Sequence, residues 1–168
     1  QGQYLSAKQC LNWSLSILQT AGDRVDQGMV LSNLAEVHYA LGEYEQAITY
    51  QEQWLTIARA AGLRHGEGIA LGSLGNIYES QGQYAKALSY HQQHLAIAQA
   101  ENDLEMLGSA LGNVGSCCHA LGQYQQAKDH HRQHLRLAQK IGNRQGESNA
   151  LGGLGSACYS LSEYDPAA

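Results

Sequence analysis

The stretch "LGSLGNIYESQGQYAKA", Leu71 to Ala87, holds three glycines, Gly72, Gly75 and Gly82, and what flanks them decides what they are for. A phosphate loop sets its glycines between a strand and a helix and follows them with Lys-Ser or Lys-Thr. Here no β-branched run precedes them and no such pair follows, which argues against a nucleotide site. Leu71, Leu74, Ile77 and Tyr78 recur instead at helical spacing, which puts Gly72 and Gly75 inside a helix. Glycine there costs about 0.8–1 kcal/mol relative to alanine, and close approach of a neighbouring helix is the gain expected to offset it. Gly82 falls between helices, where a left-handed turn is cheap for glycine.

Outward from this stretch the pattern returns with a strict period of 40 residues. Tyrosine recurs at Tyr4, Tyr44, Tyr84, Tyr124 and Tyr164, with alanine three positions later at Ala7, Ala47, Ala87 and Ala127. Leu31, Leu71, Leu111 and Leu151 form a second series, followed by Leu34, Leu74, Val114 and Leu154. Each unit carries two amphipathic helical patterns, and the spacing predicts helices near 4–21, 26–40, 44–61, 66–80, 84–101, 106–120, 124–141 and 146–160, with a stub after the last. Helices joined this tightly are antiparallel neighbours, and so thin a pair can bury its apolar stripe only against the next pair. The expected fold is all-α, a solenoid of antiparallel helix pairs. One array spans 1–168 in about four units, 1–40, 41–80, 81–120 and 121–160, beginning and ending in half repeats.

Composition agrees with that reading. The 168 residues are 43% hydrophobic and 15% charged, with a single proline, Pro166, and no phenylalanine. A formal charge of −5 gives no basic footprint for nucleic acid or an anionic membrane. No apolar run reaches the roughly 20 residues of a membrane span, and the start lacks a basic region followed by an apolar one. A cytoplasmic location is expected. The start at Gln1 suggests a piece of something longer. Cys10, Cys117, Cys118 and Cys158 show no CxxC spacing and read as reduced, small apolar side chains.

The series Leu71, Leu74-Gly75, Tyr78, Gly82, Tyr84, Ala87 resembles the tetratricopeptide repeat, in a 40-residue class similar to Pins/LGN scaffolds and cyanobacterial arrays. The resemblance implies a right-handed superhelix, no catalysis, no cofactor, and a protein or peptide partner held along the concave surface, which the first helix of each pair lines. It places Asn33, Glu36 and Tyr39 on that surface, then Ser73, Asn76 and Glu79, then Asn113, Ser116 and His119, then Asn149, Ser156 and Tyr159. Asn33, Asn76 and Asn113 offer a donor and an acceptor each to an extended backbone. The lysines and arginines with which related arrays grip a carboxylate are missing from these rows, so that ligand is not carried over. Ala35 replaces the helix glycine, and Cys118 and Cys158 stand where Tyr78 does. The stretch "ENDLEMLGSA" lacks the glycine of "AGDR" and is expected to form the least regular turn.

Two histidine pairs, His91 with His94 and His131 with His134, share a helix face at i, i+3 spacing. Neighbouring units lie about 8–10 Å apart, and no carboxylate or thiol in the repeat pattern completes a zinc set. Trp54 holds the place of His94, which marks a packing position for flat rings, and no metal is expected. Equivalent residues in a solenoid are translated rather than convergent, so no catalytic set assembles either. The reading is a non-catalytic scaffold. Its alternative is a structural spacer associating head-to-tail through uncapped ends, where Leu151, Leu154, Ala157 and Cys158 would form an exposed apolar strip.

Overall fold

A computed structural model describes residues 2–164, with side chains from 4 to 162; Pro166 lies outside the described residues. Eight α-helices follow one another: α1 (Gly2–Ala21), α2 (Arg24–Ala40), α3 (Tyr44–Ala60), α4 (Arg64–Ser80), α5 (Tyr84–Glu101), α6 (Leu104–Ala120), α7 (Tyr124–Ile141) and α8 (Arg144–Tyr164). Each packs on the next, and α4 also reaches α6 and α6 reaches α8, as stacked pairs require. The first helix of each pair begins two residues before its apolar pattern; Asp23, Asp103 and Asn143 accept hydrogen bonds from backbone N–H groups of the first turns of α2, α6 and α8, whereas α4 starts equally early after Leu63 with no side-chain cap.

The turns are two or three residues long and are set by a left-handed residue. Gly42, Gly82 and Gly122 take φ of 76°, 71° and 75°, and Gly22, Gly62 and Gly142 do likewise between pairs. In the third such turn the glycine is absent, yet the turn is as regular as the others. Asn102 adopts φ 53° and Asp103 caps Met106 N at 3.0 Å, so the expected irregularity does not occur. The opposite happens at the last one. Ser162 stands where Gly42, Gly82 and Gly122 stand, nothing there favours a left-handed turn, and α8 runs on to Tyr164 instead of stopping near 160.

The core is one row of layers. Leu34, Leu71, Leu74 and Val114 are fully buried at the first-helix centres, and Ala47, Ala87 and Ala127 are fully buried where the second helices cross them. Several glycines inside helices do more than let backbones approach: Gly28, Gly66, Gly72, Gly75, Gly112, Gly115 and Gly153 give room to a ring from a second helix. A Cβ on Gly75 would overlap His91, and one on Gly115 would stand 2.7 Å from His131 Cε1. At Gly155, by contrast, a Cβ meets nothing within 4 Å. Cys117 and Cys118 are buried as small side chains, whereas Cys10 and Cys158 are exposed, and all four are free thiols.

Candidate functional site

The residues expected to line a groove lie on the first helices of the pairs, α2, α4, α6 and α8. Asn33, Glu36, Tyr39, Asn76, Ser116, Asn149, Ser156 and Tyr159 are exposed there, and Ser73, Glu79, Asn113 and His119 are half-buried. Cross-helix hydrogen bonds already occupy several of them. Tyr39 and Ser80 hydroxyls lie 2.7 Å apart, Asn113 Nδ2 donates to Asn76 Oδ1 at 3.3 Å, and His119 Nε2 meets Ser160 Oγ at 3.0 Å. Each bond joins one first helix to the next. Asn76 and Asn113 therefore do not present two open amides; the bond leaves Asn76 Nδ2 and Asn113 Oδ1 for a ligand. Ser116 and Ser156 donate to the carbonyls of Gly112 and Gly152 within their own helices.

Three cavities open between successive first helices. A 200 Å³ cavity is lined by Glu36, Tyr39, Gln51, Ser73 and Asn76. One of 340 Å³ lies over Gly72, His94 and Met106, beside Ser73, Asn76 and Asn113. The third, 390 Å³, lies among α6, α7 and α8 over Gly108, Gly112, His134 and Gly146, with Asn113, Ser116 and Asn149 at its edge. Asn33, Glu79, His119, Ser156 and Tyr159 line none of these three.

One register position decides how full each layer is. Trp54 is wedged between Gly28 on α2 and Gly66 on α4, and a Cβ on Gly66 would stand 2.6 Å from its ring. In the next layer His94 is smaller, but Met106 takes the place of Gly66 and its sulfur fills the space above Gly68. A 340 Å³ cavity still opens beside His94 and Met106; in the third layer His134 is the ring, Gly146 carries no side chain, and the 390 Å³ cavity lies beside them. The sequence held this signal in the series Trp54, His94, His134 and Gly66, Met106, Gly146; reading each series apart from the other hid it.

Burial controls the charge of these rings. His94 is pushed down to about 4, first by burial and then by the charge of His91, with Asp103 opposing. Burial also lowers His134, and His131 is lowered by burial and then by its histidine neighbours. The 340 Å³ and 390 Å³ cavities are thus floored by neutral imidazoles at neutral pH, whereas no histidine lines the 200 Å³ one.

A carboxylate and a thiol do approach one histidine, contrary to the reading of the repeat pattern. Glu79 on α4, His91 on α5 and Cys117 on α6 each bring a potential ligand atom within 4.8 Å of the other two. His91 is completely buried, its Nε2 lies 3.7 Å from Glu79 Oε2, and neither ring nitrogen makes a hydrogen bond.

Against known proteins, residues 26–100 and 106–168 match the tetratricopeptide-repeat family. The chain belongs to that family, a class of right-handed α-solenoid scaffolds for protein–protein interaction. It is similar in fold to the apo form of RapI, at 18% identity and a TM-score of 0.89, over 98% of this chain and 46% of that one. It is similar also to BtubC from P. vanneervenii, at 18% identity and TM-score 0.87, over 97% of this chain and 68% of that one. A Rap protein complexed with competence and sporulation factor matches at 18% identity and TM-score 0.74, over 99% of this chain and 51% of that one. The chain thus spans about half the length of the Rap structures. Among the curated proteins the sequence has no match.

Proposed function

We propose that this array is a non-catalytic scaffold that holds an extended peptide or protein segment along its concave face, with one apolar or aromatic side chain of that segment seated in the 390 Å³ cavity. The observation that carries the reading is the unfilled layer at His134: the register that Trp54 packs shut between Gly28 and Gly66 is left open between Gly108 and Gly146. An apolar anchor gains by leaving water, while Asn113, Asn149 and Ser116 at the rim can hydrogen-bond the flanking backbone. Exposed Met29 and Ile69 extend the apolar surface toward α2. The solved Rap protein that carries competence and sporulation factor is a precedent for an array of this shape holding a ligand. The rows are poor in cations, which favours an internal segment over a terminal carboxylate.

The test uses the repeat against itself. Peptides selected from a displayed random library on the wild-type chain should lose binding at least about tenfold in His134→Trp, which rebuilds the Trp54 layer and fills the cavity. The double variant Asn76→Ala with Asn113→Ala should weaken the same peptides with helicity unchanged. Undiminished binding in His134→Trp would sink the cavity as anchor, and in the double variant would move the site to the ends or the convex face.

A second reading is favoured by the end helices. Leu5, Trp13 and Ile17 on α1 and Leu151 on α8 are more than half or about half exposed, although Ala157 is buried by α8's own partners. Docking α1 of one copy behind α8 of another would cover both strips and extend the 40-residue geometry. Light scattering over a wide concentration range checks this; a strict monomer or a two-fold dimer argues against it.

A further inference from the structure

We infer that Glu79, His91 and Cys117 form a zinc-type metal site that clamps α4, α5 and α6 together. The three donors come from three consecutive helices and belong to two units, and a ligand atom of each lies within 4.8 Å of the other two. A tetrahedral zinc with bonds of 2.0–2.3 Å holds its donors about 3.3–3.8 Å apart, so His91 Nε2 and Glu79 Oε2, at 3.7 Å, already stand at that spacing. Small side-chain rotations bring the sulfur in.

The second, independent observation is His91 itself. Its ring is completely buried over Gly75, and neither nitrogen has a hydrogen-bond partner. A buried imidazole with two unpaired nitrogens costs free energy that most such groups avoid by pairing. At 3.7 Å the Glu79 carboxylate is too far for a hydrogen bond and well placed to share a cation. Thiolate, imidazole and carboxylate together suit zinc, with a fourth position left for water or a partner's side chain. Cys117 enters as the thiolate and its proton passes to solvent. Burial and the neighbouring Glu79 and Cys118 keep the metal-free thiol protonated, up to about 12, so it is inert until a cation arrives.

The repeat shows that this set is local. In the register of Glu79 stand Tyr39 and His119; in that of His91, Gln51 and His131; in that of Cys117, Ile77 and Ala157. Only one layer holds all three donors. The same comparison supplies variants whose side chains the fold already carries at those places: Gln51 and Ala157 are buried like the residues they would replace.

The experiment titrates the reduced, chelator-treated chain with Co(II) and then displaces it with Zn(II). One equivalent should bind, with a thiolate-to-cobalt charge-transfer band and visible bands of tetrahedral intensity, both erased by zinc. The charge-transfer band should vanish in Cys117→Ala, binding should be lost in His91→Gln, and Glu79→Gln should weaken it about tenfold or more. No thiolate band in the wild type overturns the site, and so does a band that persists in Cys117→Ala, which would assign it to Cys10, Cys118 or Cys158. Should either buried variant fail to fold, the half-exposed Glu79→Gln decides, since unchanged affinity there also overturns it.

Discussion

Gly75, Gly115 and Gly155 occupy one register, yet they should answer mutation with opposite signs. At Gly115 a side chain meets His131 Cε1 at 2.7 Å, so Gly115→Leu should destabilise by about 1–3 kcal/mol although leucine is the better helix former. At Gly155 a Cβ meets nothing, and Gly155→Ala should stabilise by up to about 1 kcal/mol. Urea unfolding of the two variants measures both; a rise in stability for Gly115→Leu would show that the ring yields. Acid tests the rings directly. His94 is depressed to about 4 in the fold and sits near 6.5 when unfolded, so between those values the unfolded chain binds the extra proton. Stability is therefore intact above about 6.5 and falls as pH drops toward 4, by on the order of 2 kcal/mol at pH 5 from this residue alone. His94→Gln should flatten that slope in melts run from pH 7 to 4.5.

At the scale of the helix, the turn residue decides where a helix stops. Asn102 carries the only positive φ outside glycine among the described residues, so Asn102→Ala should cost about 1–2 kcal/mol while Asn102→Gly should be neutral or stabilising. Chemical denaturation distinguishes the two. These elements show how much the sequence discloses. The 40-residue period placed every helix to within a few residues because leucines, alanines and tyrosines repeat at buried positions, and burial is what periodicity records. It missed the two-residue extension at each first-helix start, since caps such as Asp23 and Asp103 act apart from apolar spacing, and at α4 the extension occurs without a side-chain cap at all. It also missed Ser162, where the missing glycine, not any added residue, lengthens α8. The candidate site was legible only as a surface. Which polar groups are spoken for, as in Asn76 with Asn113, and which layer is hollow, as at His134, depend on side chains from three helices at once.

Over the whole molecule, layers touch only their neighbours, so stability is distributed unevenly along the row. Among the described side chains of α1 none is fully buried, whereas α4 and α6 bury most of one face. Amide hydrogen exchange should therefore release α1 first and α4 to α6 last; uniform protection would contradict the layered picture. The bonds from Tyr39 to Ser80, Asn76 to Asn113 and His119 to Ser160 lie along the inner edge of this row. They act as lacing on a curved strip. Drawing the inner edge tight fixes the bend, and loosening one stitch lets the strip uncurl there. A partner that used only Asn76 Nδ2 and Asn113 Oδ1 would leave the middle stitch tied, whereas one that also took Asn76 Oδ1 and Asn113 Nδ2 would undo it, and binding would then be linked mechanically to the bend of the array.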